Sequence, residues 1–339
     1  MKGVLLVNLG SPDAPTPEAV KPYLDEFLMD PRVIDLPYLL RAFVVRGIIL
    51  RKRPAKSAAA YKKIWWEEGS PLMVISKRTH EKIQKRVDVP VALAMRYGNP
   101  SIETGLQELY AKGVKEVLLF PLYPQFAMAT TETILVLAEK IRKEKFPDMK
   151  FSQIQSFYNR EGYAEELSKV IKESLKGYDY DHLLFSYHGV PERHIKKSDV
   201  TKSHCTIDNT CCSVKSAAHE FCYRHQCTDT TRQVVEQLGI PETKYTQTFQ
   251  SRLGIDKWLQ PFTDDTVEEL AKKGVKKLAV VTPAFVADCI ETLEEIEMEA
   301  GEIFKENGGE EFRMIPCLND RDSWMDVMSS WINQWIAKK

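Results

Sequence analysis

Eight short stretches of the chain read as strand-like runs, near residues 3–9, 89–97, 116–124, 151–157, 182–188, 244–249, 276–285 and 312–318. Most of them are rich in Val, Leu, Ile or Phe and are bounded by Gly, Pro or Asn, which predicts strands. Between them, apolar residues recur at i, i+3 and i+4 behind an early Ser, Asn or Asp, most clearly over 101–112, 160–176, 263–273 and 320–337. That spacing predicts amphipathic helices. Strand alternates with helix, and four strands fall in each half. The class is therefore α/β, with mostly parallel sheets flanked by helices.

The halves echo one another. Leu109, Lys112, Gly113, Val114 and Lys115 lead into Val117-Leu118-Leu119-Phe120, and Leu270, Lys273, Gly274, Val275 and Lys276 lead into Leu278-Ala279-Val280-Val281. Residues 6–12 echo residues 185–191 in the same way, each an apolar strand before a Gly/Pro turn. Two Rossmann-like halves follow, 1–178 and 179–339, with residues 178–181 as crossover and a cleft between them. The last helix, carrying Trp324, Trp331 and Trp335, could pack on either half, the N-terminal one included. Ligands of open α/β sheets bind at the carboxyl ends of strands, so the paired positions there are informative. Leu9 in the first half answers to His188 in the second.

Charge changes this picture little. With 47 basic against 48 acidic residues and no basic tract beyond Arg51-Lys52-Arg53, nucleic acid is excluded as the main partner. No leader-like segment precedes the first strand, and the expectation is a cytoplasmic protein. Residues 36–50 are apolar but interrupted by Arg41 and Arg46, and the basic tract follows. Too short to span a bilayer, this stretch fits either a lip resting among lipid headgroups, over residues 36–53, or a buried core helix.

His188 ends the apolar strand 183–187 and precedes Gly189, so its ring would stand where the backbone turns out of the sheet. An imidazole there can take a proton near neutral pH, hold a metal, or simply bond a loop carbonyl. The matching loop of the neighbouring strand holds Asp288, and Glu291, Glu295, Glu299 and Glu302 then recur at helical steps. Such a ladder is either a solvated acidic face or, lining a cleft, a path for protons or divalent cations.

Five of the seven cysteines, Cys205, Cys211, Cys212, Cys222 and Cys227, fall within residues 198–227, which reads as an insertion. In a cytoplasmic protein this density favours metal ligation over disulfides. The spacing is not that of a zinc finger, but His204, His219 and His225 are near, so zinc with mixed ligands stays open.

Across nearly its whole length the chain resembles the ferrochelatases. The resemblance rests on Val7-Asn8-Leu9-Gly10-Ser11-Pro12, Gly69-Ser70-Pro71-Leu72, Met95-Arg96-Tyr97, Pro121-Leu122-Tyr123-Pro124-Gln125, Ser186-Tyr187-His188-Gly189-Val190-Pro191, Thr248-Phe249-Gln250-Ser251-Arg252 and residues 285–293. It implies a chelatase-like fold and insertion of ferrous iron into protoporphyrin IX with release of two protons. The Phe-Gln-Ser-Arg block resembles the protoporphyrin-using branch more than the coproporphyrin-using one. By the resemblance His188 is the catalytic base and Glu291 the essential acid, with Glu295, Glu299 and Asp288 along or beside a proton or metal path; which of His188 and Glu291 meets iron first stays open. Cys289 stands where some members carry a histidine, a departure from the pattern. Some members hold a two-iron two-sulfur cluster within an internal segment of this kind. Cys205, Cys212, Cys222 and Cys227 are its expected ligands, with Cys211 able to replace Cys212 and zinc as the alternative.

Iron can enter a free-base porphyrin only if the ring bends and loses its two pyrrole protons. An apolar cleft can supply the bending, and Leu9, Tyr123, Pro124 and Trp258 are the candidates for ring contact. Contact with a membrane surface fits both the lip and the resemblance. The chain is expected to act as a monomer or a homodimer. A cobalt or nickel chelatase, or a two-lobed heme or iron-sulfur binding protein without turnover, are the other readings of these residues.

Overall fold

The structure is a computed structural model that describes residues 1–338 apart from 209, 253 and 255. Eight strands form two sheets: β1 Lys2–Asn8, β2 Val91–Met95, β3 Glu116–Pro121 and β4 Lys150–Gln153, then β5 His182–His188, β6 Tyr245–Gln250, β7 Lys277–Val281 and β8 Glu311–Met314. The first sheet runs β2-β1-β3-β4 and the second β6-β5-β7-β8, and every pairing is parallel. Burial on both faces explains why the central strands β1, β3, β5 and β7 read as nearly continuous apolar runs, whereas the edge strands β4 and β6 carry Ser, Thr and Gln.

The sequence echo has a structural cause. Val114 N–H donates to Leu109 O at 3.1 Å and Val275 N–H to Leu270 O at 3.1 Å, while Gly113 at φ +81° and Gly274 at φ +94° reverse the chain. Both are helix ends closed by a left-handed glycine, each delivering the chain to the third strand of its sheet. The registers agree as well, since Leu6 pairs with Phe120 and Phe185 with Val281.

The expected strands are all present, β5 with its expected bounds, but several others stop early. The run expected over 116–124 leaves its ladder at Pro121, and that over 276–285 leaves at Val281. Tyr123 and Phe126 beyond the first, and Ala284 and Val286 beyond the second, are buried outside the ladders. Burial alone keeps a turn apolar, so composition cannot mark where the ladder ends.

The chain forms two compact units, one of residues 1–123, 128–156 and 320–339, the other of 124–127 and 157–319. The change of unit thus falls before helix Tyr163–Ser174, not at residue 178, because that helix packs with helix Tyr223–Leu238. The last helix, Asp322–Ala337, belongs to the first unit, where the Trp331 ring lies 6.2 Å from Phe120 and Lys2 Nζ donates to Ile336 O at 3.0 Å. Residues 36–50 form helix Tyr38–Ala42 and the π-helical turn Phe43–Ile49. There Leu39 is 81 % and Phe43 65 % exposed, which removes the buried-core-helix reading. No described helix is long and apolar enough to cross a membrane.

Candidate functional site

His188 is the last residue of β5 and pairs with Gln250 at the end of β6. Its Nδ1 lies 2.7 Å from Gly189 O, and since a carbonyl only accepts, Nδ1 carries the hydrogen and Nε2 keeps a lone pair to take a proton. Gly189 is required at the turn, because a Cβ there would lie 2.6 Å from Ser251 O and 3.3 Å from the Trp258 ring. Trp258 therefore covers the backbone beside His188. The Phe285 ring stands edge-on to the imidazole at 6.4 Å.

The polar end of β6 brings carboxylates to this turn. Gln250 Oε1 accepts from Ser186 Oγ at 2.9 Å, which leaves its amide to donate to Glu291 O at 2.7 Å and to Glu295 Oε2 at 3.3 Å. Ser251, at φ +61°, donates its hydroxyl to the same Glu295 oxygen. Burial pushes the Glu295 carboxyl above its ordinary range and the neighbouring Glu291 pushes it further, against the Ser251 bond and the nearby His188. The result is a carboxyl that keeps its proton more readily than a free glutamate, beside an imidazole able to accept one.

The acidic ladder is not one continuous face. Ile290–Thr292 is α-helical, but Leu293–Ala300 is π-helical before the α-helix resumes at Gly301. The i→i+5 turns of a π-helix change the angular step, so spacings of four no longer stack. The Glu295 carboxyl approaches Gln250 and His188 and the Glu291 backbone carbonyl meets Gln250, while Glu299 and Glu302 are exposed. Asp288 serves the backbone nearby: its carboxylate accepts from Thr292 Oγ1 at 3.0 Å, Cys317 N–H at 3.3 Å and Asn319 Nδ2 at 2.7 Å. Burial pushes the Cys289 thiol well up, and adjacent Glu291 adds to this.

The other expected pocket residues divide between the units. Leu9, partly exposed just past β1, donates its N–H to Tyr123 Oη at 3.1 Å, and Tyr123 donates to Asn8 Oδ1 at 2.9 Å, its ring packed in the core of the first unit. Pro124 is buried and its carbonyl accepts from Phe157 and Tyr158 N–H, both at 2.9 Å.

Cys222 begins helix Tyr223–Leu238 and is the hub of the cysteine segment. Bonds from the Cys212 thiol, and more weakly from Cys205, lower the Cys222 thiol against its burial; the same contact raises Cys212, and burial, then the contact with Cys222, raises Cys205. Asp199 accepts from the N–H groups of His204 and Cys205, both at 2.9 Å, and Asp208 from Cys211 N–H at 3.2 Å, so the loop is folded around its sulfurs. Cys227 is fully buried one helical turn on, against the Tyr223 hydroxyl. His204 and His219 meet at 3.3 Å between their Nε2 atoms. Among the described residues no group of three or more His, Cys, Asp and Glu side chains stands in metal-holding geometry.

Sequence reasoning passed over three side chains as individual site residues. Gln250 and Ser251 were visible as a polar pair ending a strand, but only the register shows that they face His188. Tyr223, whose hydroxyl donates to His188 O at 2.9 Å, carried no signal of its own.

A model of the ferrochelatase family matches residues 1–335. Ferrochelatase of Pseudomonas fluorescens is 49 % identical over 329 residues, covering 96 % of this chain and 96 % of that protein. Ferrochelatase of Pseudomonas syringae pv. tomato is 49 % identical over 322 residues, covering 95 % and 94 %. Among solved structures, SirB from Bacillus subtilis with Fe3+ is similar with a TM-score of 0.55 at 13 % identity, over 99 % of this chain and 96 % of that one. The sirohydrochlorin chelatase SirB from Bacillus subtilis subspecies spizizenii in complex with cobalt reaches 0.54 at 12 %, over 98 % and 94 %. At that identity the likeness is one of fold.

Proposed function

The chain belongs to the ferrochelatase family, the porphyrin metal chelatases of heme biosynthesis, and from that premise we propose that it inserts ferrous iron into protoporphyrin IX with His188 as proton acceptor. The observation that carries this reading is the meeting of an imidazole whose Nε2 is left basic with a carboxyl, Glu295, that burial keeps protonated more readily than usual. Two protons must leave the ring nitrogens for each iron that enters. His188 Nε2 takes a pyrrole proton, Glu291 and Glu295 pass protons on or meet the incoming cation, and Gln250 and Ser251 fix the Glu295 carboxylate between these tasks. Trp258, over the backbone at Gly189, is the proposed apolar contact for the macrocycle. Ferrochelatase relatives at 49 % identity weigh against a cobalt or nickel chelatase. An anaerobic assay of ferrous iron with protoporphyrin tests the reading, with coproporphyrin and cobalt as competing substrates; preference for either competitor would overturn it.

For the cysteine segment we propose a two-iron two-sulfur cluster held by four of Cys205, Cys211, Cys212, Cys222 and Cys227. The convergence of Cys205 and Cys212 on Cys222, inside a loop already folded by Asp199 and Asp208, supports it. Such a cluster supplies a one-electron couple and a staple for a loop with little core of its own. Protein purified anaerobically should be coloured and contain about two iron and two sulfide per chain. Cys222→Ser should bleach the colour and Cys317→Ser should not. Colourless protein with one zinc per chain would overturn the cluster. The exposed Tyr38, Leu39, Phe43 and Ile48, followed by Arg51-Lys52-Arg53, support a peripheral membrane lip on a cytoplasmic enzyme. Flotation with anionic vesicles checks it, and Leu39→Glu with Phe43→Glu should abolish the flotation.

A further inference from the structure

The peptide unit joining His188 to Gly189 is bonded at both ends. Its N–H donates to Gln250 O at 2.6 Å, and its carbonyl accepts from the Tyr223 hydroxyl at 2.9 Å. The following carbonyl, that of Gly189, is the one that accepts from His188 Nδ1 at 2.7 Å. The imidazole tautomer thus depends on where the Gly189 carbonyl points, and that direction depends on the tilt of the peptide before it. Gln250 holds this tilt from the sheet. Tyr223 holds it from the opposite end of the same peptide. Tyr223 is fully buried, opens helix Tyr223–Leu238 directly after Cys222, and its hydroxyl also neighbours the Cys227 thiol.

We propose that Tyr223 is a positioning residue for His188: its hydroxyl holds the 188–189 peptide in the tilt that fixes the Nδ1–H tautomer, and so ties the cysteine segment to the proton acceptor. The inference rests on the reading of His188 as the base. If the tilt relaxes, Nδ1 loses a fixed acceptor, the Nε2–H tautomer becomes populated, and that fraction of molecules has no lone pair at Nε2. Turnover then falls while porphyrin affinity, which does not depend on the tautomer, stays.

Tyr223→Phe removes only the hydroxyl. Measured on the anaerobically purified full chain, it should lower kcat about tenfold with KM within about twofold. The 15N spectrum of the His188 ring should change from one neutral tautomer to two. Thr231→Val is the control, because it breaks the 2.9 Å bond between Thr231 Oγ1 and Tyr187 Oη, which joins the same helix to the same strand without touching the His188 carbonyl. It should lower stability yet keep the wild-type kcat and a single tautomer. Tyr223→Phe with wild-type kcat and one tautomer would overturn the proposal, as would Thr231→Val reproducing both changes. The wild-type spectrum is decisive even if Tyr223→Phe does not fold, since an Nε2–H tautomer there contradicts the proposal outright. His188→Ala with wild-type turnover would instead remove the base reading, and the catalytic role of Tyr223 with it.

Discussion

The two units share one topology and differ at one corner. Where β5 ends on His188, register-paired with Gln250, β1 ends on Asn8, paired with Met95, so that Leu9 and Arg96 occupy the next positions. Gln250 reaches Glu295 on the helix after the third strand of its sheet. Arg96 reaches Thr133 on the corresponding helix of its own, through a 2.6 Å bond from Nε, and forms a buried ion pair with Asp30. Thr133 and the Arg32 amide, with Arg96, hold the Asp30 carboxyl below its usual range although burial pulls it up. The first unit thus neutralises its buried carboxylate, whereas the second leaves one short of cations beside an imidazole. On the proposed reading, a repeated scaffold becomes a proton-handling site through a few strand-end side chains, not through a change of fold.

The largest expected effect breaks the comparison at its centre. His188→Ala should lower kcat about 100-fold to 10,000-fold with porphyrin binding little changed, while Leu9→Ala should act mainly on porphyrin affinity; binding by fluorescence quenching and turnover in the same anaerobic cell separate the two. Next in size is stability. Arg96→Leu leaves Asp30 buried without its cation and should cost about 3–5 kcal/mol in denaturant unfolding, whereas Gln250→Leu should cost about 1–2 kcal/mol and show its effect in kcat. Within the ladder, Glu291→Gln should slow turnover at least tenfold and Glu302→Gln less than twofold. Equal small effects would favour a solvated acidic face.

Acid and base sharpen the contrast with the smallest effects. Asp30, depressed in the folded state, adds stability above the ordinary carboxylate value of about 4, and that stability is lost as pH falls through its folded value. Glu295, raised in the folded state, adds stability below about 4.3 that is lost as pH rises through its folded value. Asp30→Asn should therefore lower Tm at neutral pH and flatten the acid limb. Glu295→Gln should raise Tm at neutral pH by a few degrees, and thermal scans between pH 3 and pH 8 read both signs.

The sequence carried most of this architecture. The central strands and the Leu9–His188 pairing were legible because parallel strands buried on both faces leave nearly unbroken apolar runs, and because the left-handed glycine at Gly113 recurs at Gly274, while the more polar edge strands β4 and β6 carried a weaker signal. The ends of β3 and β7 were not legible, since Tyr123 and Ala284 are about as buried outside the ladders as their neighbours are in strands. His188, Glu291 and Glu295, the proposed site residues, follow from spacing and resemblance. Glu299 could not be separated from them, because nothing in a run of glutamates announces that Leu293–Ala300 winds as a π-helix. Gln250, Ser251 and Tyr223 needed register and depth, which composition does not encode.

The most direct test of the asymmetry moves the histidine to its counterpart in the first unit. In Leu9→His combined with His188→Leu, the imidazole would sit at the strand end whose register partner is Arg96 and whose facing helix offers Thr133. Turnover of ferrous iron with protoporphyrin should stay about 100-fold or more below wild type, indistinguishable from His188→Ala. Recovery to more than about a tenth of wild-type turnover would contradict the account, because the histidine alone, and not its setting at the end of β5, would then be sufficient.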